Sequence, residues 1–147
     1  MKTILALIAA AAIMFVLYDL QHPEDPAKAL VSRQVAADVT SRLDSGPYRR
    51  SLRIDRAISG NLAFTLEYLD LPRGGLMTVE IDTKDVARAV LAQLVKAGRS
   101  PTQEGITVFI SAQQTGLKGE TGMPLVRSLG QTYYDPNSDA LTFKPPS

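Results

Sequence analysis

Residues 51–98 decide the fold of this chain, and they read SLRIDRAISGNLAFTLEYLDLPRGGLMTVEIDTKDVARAVLAQLVKAG. Up to Asp82, apolar and polar side chains alternate, as in strands that have one face in the core and one face in water. From Thr83 onward the apolar residues recur with the period of a helix instead. The stretch therefore predicts strands followed by an amphipathic helix.

Turn residues divide the alternating part into three strands. The segments 51–58, 62–68 and 77–81 alternate, and they are separated by Ser-Gly-Asn and by a segment that contains proline and two glycines. Short connections of this composition join neighbouring antiparallel strands. The sequence therefore predicts a three-stranded antiparallel meander with one wet face, in which Arg56 falls on the apolar side.

One predicted helix follows this meander and another precedes it. The later helix is expected to begin at Thr83 as its N-cap and to stop at Gly98, and its apolar row is Val86, Val90, Leu94 and Ala97. The earlier helix is expected to begin at Asp25 as its N-cap, with Pro26 in the first helical position. Its apolar row is Val31, Val35, Val39 and Leu43.

The remaining residues complete a predicted α+β fold. Segments 106–112, 125–134 and 140–143 read as strands, joined by a Gly-rich loop at 113–122 and a turn at 135–139. The expected order is an N-terminal membrane helix and then α-βββ-α-ββ(β). An antiparallel sheet covered on one face by two helices would bury all the apolar stripes together.

Residues 3–18 form an apolar run that indicates membrane targeting. As a helix the run extends about 24 Å, somewhat less than a hydrocarbon core of about 30 Å. A signal peptide needs small residues just after its apolar run. The alanines at 9–12 precede further apolar residues, and Ala-Lys-Ala at 27–29 lies in a predicted helix. The sequence favours an uncleaved signal anchor, and a cleaved secretory peptide and a buried core helix stay open.

The charges beside this run predict its orientation. Lys2 precedes it, whereas Asp19, Glu24 and Asp25 follow it, and positive charge favours the cytoplasmic side. We expect a single-pass protein of the inner or plasma membrane whose body is extracytoplasmic, and periplasmic in a Gram-negative cell. The expected organisation is a signal anchor or transmembrane helix at 1–20, a stalk at 21–25, a single α+β domain at 26–144 and a tail at 145–147.

Composition excludes several classes of protein. The chain has no cysteine, so it offers no lipid attachment to cysteine, no disulfide framework and no thiolate zinc site. Its 16 basic and 15 acidic residues nearly balance. The chain therefore lacks the excess positive charge that would attract the phosphates of a nucleic acid. We expect the membrane and a protein or envelope component as partners, and no nucleic acid, metal or cofactor.

The Gly-rich segment 113–122 is the candidate binding surface. It is longer than the roughly two to five residues that usually join two strands, so its surplus length indicates contact with a partner. A flexible connector is the alternative. Its glycines lack the spacing of a nucleotide-binding loop. The candidate binding residues are Gln113, Gln114, Thr115, Lys118, Glu120 and Thr121.

A basic cluster at the start of the first predicted strand is the second candidate. It consists of Arg49, Arg50 and Arg53. Such a cluster suits lipid phosphates or an acidic partner. The alternative is a strand entry with solvated arginines.

The sequence contains no recognisable catalytic motif. His22 is the single histidine and lies in the predicted stalk, so a triad or a histidine metal site lacks its other members. The spacing Asp135-x-Asn137-x-Asp139 begins like a calcium loop, but the later positions do not match, which favours a structural turn. Paired carboxylates for acid/base catalysis would have to come from a few residues. These are Glu67, Asp70, Glu80, Asp82 and Asp85.

These observations favour a membrane-anchored extracytoplasmic binding or assembly module over an enzyme. An exported hydrolase that uses surface carboxylates is one alternative. Another is an accessory subunit whose anchor helix packs into a membrane complex through the small residues at 9–12.

Overall fold

The computed structural model describes residues 31, 33, 34, 37, 38, 50–55 and 61–147. Within them the elements are, in order, β1 Arg50–Ile54, β2 Asn61–Tyr68, α1 Gly75–Lys96, β3 Thr107–Lys118, β4 Pro124–Asp135 and β5 Ala140–Lys144. The described residues between 31 and 38 are also helical, as predicted for the earlier helix. The predicted α+β class is confirmed.

The described part of the chain contains no helix that is both long and apolar enough to cross a membrane. The predicted anchor at residues 3–18, the stalk at 21–25, Arg49 and Arg56 all lie outside the described residues. Most of the predicted earlier helix lies outside them as well. Its Val31 is described, and this side chain is buried in the core.

The sheet is mixed, and the expectation of an antiparallel sheet is wrong at one pair of strands. The strands lie side by side in the order β1-β2-β3-β4-β5. Neighbours are antiparallel except β2 and β3, which are parallel. The physical reason is α1, because a helix that returns the chain to the other end of the sheet starts the next strand in the same direction.

The predicted third strand, at 77–81, is also wrong, because these residues belong to α1. Val79 is fully buried while Met77 and Ile81 are exposed, so the three apolar residues that a strand would place on one face do not share one environment. The buried row nevertheless continues at helical spacing into the later part of the helix. The buried residues of α1 are Val79, Thr83, Val86, Ala87, Val90 and Leu94.

Thr83 is accordingly not an N-cap. Its hydroxyl donates to the carbonyl of Val79 at 2.8 Å, one turn earlier in the same helix. The same oxygen lies 2.7 Å from the hydroxyl oxygen of Thr132 on β4, which links the helix to the sheet inside the core. Gly74 precedes the helix and Gly75, with φ at +59°, begins it. The Gly-Gly pair lies in a turn, as predicted, in which the Gly75 N–H donates to the Pro72 carbonyl at 2.8 Å, and this turn leads into the helix instead of a strand.

The predicted end of this helix is confirmed. Gly98 has φ at +75°, a conformation that glycine adopts without a Cβ penalty. The Gly98 N–H donates to the carbonyl of Val95 at 2.9 Å, and the Arg99 N–H donates to the carbonyl of Leu94 at 2.9 Å. This pair of bonds is the Schellman arrangement, which satisfies the last carbonyls of a helix.

The core lies between α1 and one face of the central strands. Alternate residues of β2 and β3 point toward the helix, as the alternation in sequence predicts for β2. Removing these side chains from water is the main stabilising contribution to the fold. The fully buried residues of the two strands are Leu62, Phe64, Leu66, Tyr68, Val108 and Ile110.

The last three predicted strands are confirmed as β3, β4 and β5, but β3 is longer than expected. It continues to Lys118, so about half of the predicted loop at 113–122 is strand. The predicted turn at 135–139 is confirmed. The Asp135 carboxylate accepts the Asn137 N–H at 3.0 Å and the Ser138 hydroxyl at 2.9 Å, which fixes the hairpin before β5.

Candidate functional site

The long β3–β4 hairpin extends beyond the rest of the sheet. β2 pairs with β3 only as far as Gln114, and β5 pairs with β4 only from Gln131 to Asp135. Residues 115–118 and 124–127 therefore form a two-stranded extension joined by a loop at 119–123. We call residues 115–127 the arm.

Two β-bulges shape the base of the arm. The first adds Leu129 to β4, because Ala112 pairs with Gly130 while Gln113 pairs with Ser128. The second adds a residue to β3 between Gln114 and Leu117. Bulges bend a strand and increase its local twist. Leu129 is buried in the core, so the first bulge also anchors the base of the arm to the domain.

Gly116, in the second bulge, seats the arm on the segment that follows β2. Its φ is +78°, and a Cβ atom added there would lie 2.7 Å from Cδ1 of Leu69. Only glycine combines this backbone conformation with such a close approach. The hydroxyl of Thr115 donates to the carbonyl of Tyr68 at 3.4 Å, a long hydrogen bond at the same place. The arm is thus packed against the domain at its base.

The flank of the arm along β4 exposes apolar side chains. Met123, Leu125 and Val126 are 64%, 51% and 62% exposed. Leu69, which contacts the arm at Gly116, and Leu71 are exposed as well. Apolar residues scattered singly are normal on a surface, but neighbouring ones on a protruding element are typical of a contact site.

The loop at the tip of the arm is closed by its own backbone. The N–H of Gly119 donates to the carbonyl of Met123, and the N–H of Gly122 donates to the carbonyl of Gly119, both at 2.9 Å. The side chains of Glu120 and Thr121 in this loop are exposed. The tip of the arm therefore exposes polar side chains together with Met123, and Leu125 and Val126 lie beside it on β4.

The six predicted binding residues separate into two groups. Lys118, Glu120 and Thr121 lie near the tip of the arm and are exposed. Gln113, Gln114 and Thr115 lie in β3 at the base. The Gln113 side-chain amide donates to the Glu67 carboxylate at 3.0 Å, so its position is fixed on the sheet.

Sequence reasoning missed the apolar residues of the arm. Leu125 and Val126 read as the start of a strand with one face in the core, and Met123 directly precedes that strand, but all three are exposed. The signal that was available is the uncharged stretch 123–126 directly after a Gly-rich loop. Such a stretch is expected to be covered by something.

The structure does not bring Arg50 and Arg53 into one basic patch. They lie three positions apart on β1, so their side chains point to opposite faces of the sheet. Arg50 Nη1 lies 2.6 Å from Asp82 Oδ2 on α1, and the same oxygen accepts the Tyr68 hydroxyl at 2.7 Å. The pKa of the Tyr68 hydroxyl is raised far above its usual value, mainly by burial and next by its hydrogen bond to the Asp82 carboxylate. This cluster ties the edge strand to the helix.

Arg53 lies on the face of the sheet opposite α1, within a surface network. Its guanidinium contacts Asp55 at 3.0 Å and Glu67 at 3.2 Å. The hydroxyl of Thr65 donates to the Asp55 carboxylate at 2.8 Å. These side chains satisfy one another across β1 and β2, which is the usual behaviour of charged residues on a sheet face.

Four of the five carboxylates that a hydrolase would need are each held by a cation. Glu67 contacts Arg53 and Asp82 contacts Arg50, and on α1 the pairs are Glu80 with Lys84 and Asp85 with Arg88, each at 2.6 Å. They form separate ion pairs along β2 and α1, whereas acid/base hydrolysis uses two carboxylates that face one substrate. Within the described residues no group of three or more histidines, cysteines, aspartates or glutamates could hold a metal ion.

A pocket of about 680 Å³ lies between the early helical residues and the C-terminal end of α1. Its described lining residues include one carboxylate, whereas a glycosidase-type site uses a pair. Its lining residues are Val31, Gln34, Ala37, Asp38, Gln93, Lys96, Ala97 and Arg99.

The arm thus combines a fixed position with exposed apolar surface, as does the start of α1, where Leu76, Met77 and Ile81 are exposed. The pocket and the ion pairs lack that combination. Comparison of the chain with protein families, with curated proteins and with solved structures finds no match.

Proposed function

We propose that this protein is a binding or assembly module, held at a membrane by residues 3–18, that displays its α+β domain on the extracytoplasmic side. The arm is its contact surface. The observation that carries this proposal is the exposure of Met123, Leu125 and Val126, the last two on opposite faces of β4, on an extension that is packed at its base.

The energetics of the arm support a contact role. Ordering its residues costs conformational entropy of about 1–2 kcal/mol per residue. Its exposed side chains recover little of that cost, since they remain in water. Burying such a side chain completely against a partner contributes about 1.5–3 kcal/mol. Three of them therefore offer a partner several kcal/mol, from which the costs of association are subtracted.

The membrane part of the proposal rests on the sequence. The apolar run at 3–18 and the charges on its two sides support an anchor with the body outside. An accessory subunit of a membrane complex is compatible with the same contact surface. An exported hydrolase is less well supported, because four of the five candidate carboxylates are engaged in separate ion pairs.

The test is affinity capture of the full chain from membranes in mild detergent, with Val126→Lys compared with Val95→Lys. Val95 lies near the end of α1 and is 63% exposed, against 62% for Val126, so the two substitutions change surfaces of equal exposure. We expect Val126→Lys to lose the captured partner and Val95→Lys to retain it, because a lysine in the contact carries an uncompensated charge. Equal capture by both variants would refute the arm as the contact surface.

A further inference from the structure

We infer that the domain carries the arm at the end away from the membrane, and that the partner of the arm is an extended protein segment outside the bilayer. This inference rests on the proposed function, because it adds the position of the contact surface relative to the anchor and the class of its partner. We call the end of the sheet from which the arm extends the arm end, and the other end of the sheet the opposite end.

β2, α1 and β3 meet at the arm end. β2 ends there at Tyr68, and α1 begins there at Gly75 after the connection at 69–74. β3 runs parallel to β2, with Gln114 opposite Tyr68, and it continues from there into the arm. The close approach of Gly116 to Leu69 belongs to the same arrangement. The arm therefore leaves the sheet at the end where α1 begins.

The chain enters the described domain at the opposite end. β2 begins there at Asn61, and α1, which returns the chain to the start of the sheet, ends there at Lys96. Val31 and Asp38 line the same pocket as Lys96 does, and Val31 is buried. From this pocket the chain passes to Arg50, which pairs with the last residue of β2 at the arm end. The apolar run at 3–18 is thus connected to the domain at the end that lies away from the arm.

The connection between the apolar run and the domain is too short to bring the anchor to the arm. α1 has 22 residues and the strand residues 115–118 lie beyond it, so the tip of the arm is about 45 Å from the opposite end. Residues 19–30 join the run to Val31. With a helix from Pro26, as the sequence predicts, they reach at most about 33 Å. Even a connection that ran back along α1 would stop short of the tip.

A lipid surface could meet the arm only if the domain lay on its side, and the backbone of the arm opposes this contact. Residues 124–128 pair with β3 on one side. On the other side β5 reaches only as far as Gln131, and no other strand of the described part of the chain takes its place. Strand backbone in this position directs N–H and C=O groups outward. Hydrocarbon cannot satisfy these groups, and each one left without a partner costs several kcal/mol.

An extended protein segment matches both the backbone and the side chains of the arm. Alongside residues 124–128 it donates and accepts the hydrogen bonds that this edge offers. Leu125 and Val126 are both exposed and point to opposite faces of β4. A flat surface contacts one of them, whereas an added strand carries side chains on both faces. Position and chemistry thus indicate the same class of partner.

Energy transfer to lipid headgroups tests the position of the arm. The chain has no cysteine, so a single donor label is placed at Thr121→Cys on the arm or at Gln103→Cys between α1 and β3, where both side chains are exposed. Each full-length variant is reconstituted in phosphatidylcholine vesicles that contain an acceptor-labelled lipid. We expect transfer from Gln103→Cys to exceed transfer from Thr121→Cys by at least about threefold, because the two positions lie about 40 Å apart along the domain.

The outcomes of this experiment separate the inference from the proposed function. Equal transfer from the two positions, or higher transfer from Thr121→Cys, places the arm at the lipid and overturns the inference, while the arm remains a contact surface. Flotation of the same vesicles measures attachment by itself. A chain that stays behind when the vesicles float refutes the membrane part of the proposed function, and the inference falls with it.

Amide hydrogen exchange tests the class of the partner. In the complex obtained by affinity capture of the full chain, exchange at residues 125–128 should be at least about tenfold slower than in the uncomplexed chain, because strand pairing protects the amides of an edge. The amides of the α1 core, such as that of Val90, provide the control for overall stability. Unchanged exchange at 125–128 with the partner still bound would overturn the extended segment, while the proposed function stands.

Discussion

Gly116→Ala tests whether the arm is seated on the domain, because this glycine meets two constraints at once. Its φ of +78° disfavours any residue with a Cβ, and the new methyl group would lie 2.7 Å from Cδ1 of Leu69. The backbone constraint costs about 1–2 kcal/mol. The overlap adds about 1 kcal/mol, because the end of a leucine side chain yields partly. We expect Gly116→Ala to lower the free energy of unfolding by about 2–3 kcal/mol.

Gly122 is the matched control for this substitution. Its φ is +77°, and a Cβ atom added there would meet nothing within 4 Å. Gly122→Ala should therefore cost only the backbone part, about 1–2 kcal/mol. In a Leu69→Ala background, Gly116→Ala should cost about the same as Gly122→Ala does, because the overlapping side chain has been removed.

Urea denaturation of the full chain in mild detergent, followed by circular dichroism, measures these free energies. If the contact with Leu69 fixes the arm, Gly116→Ala costs more stability than Gly122→Ala does, and Leu69→Ala removes the difference. Equal costs for the two glycine substitutions in the parent chain would refute the contact with Leu69. The arm would then not be fixed at this point.

Two further predictions concern the core and the last hairpin. Leu94→Ala should lower the free energy of unfolding by about 2–5 kcal/mol, since Leu94 is fully buried on α1; a loss below about 0.5 kcal/mol in the same denaturation assay would place its side chain in water. The pKa of the Asp135 carboxyl is lowered from its usual 3.8, mainly by the hydrogen bond from the Asn137 backbone N–H and next by the hydrogen bond from the Ser138 hydroxyl. The folded chain therefore binds this proton less tightly than the unfolded chain, so the contribution of Asp135 is present above pH 3.8 and is lost as the pH falls through the lower folded pKa. The stability difference between the parent and Asp135→Ala should narrow in acid, and a difference that widens below pH 3.8 would contradict this account.

The site was only partly predictable from the sequence. The sequence located the hairpin between β3 and β4 and the exposed charges Lys118 and Glu120, but the connection is residues 119–123 and not the ten residues 113–122. It did not predict the exposed flank at Leu125 and Val126, because alternation indicates that one side of a strand is buried without showing where the core ends. The core ends before the arm because β2 and β5 do not accompany it.

Sequence by itself determined the features that depend on neighbouring residues. Alternation in β2, the stop of α1 at Gly98 and the turn held by Asp135 are set by local backbone preference and local hydrogen bonds. Each of these was predicted correctly, since the interacting groups lie within a few residues of one another.

Tertiary structure alone decided the features that depend on distant residues. The five residues at 77–81 alternate like a strand, yet they are helical because Val79 continues a buried stripe that packs on the sheet, and Thr83 meets Thr132 from β4. The same helix makes β2 and β3 parallel. A short window can satisfy both periods, so the choice falls to the packing that buries more apolar surface.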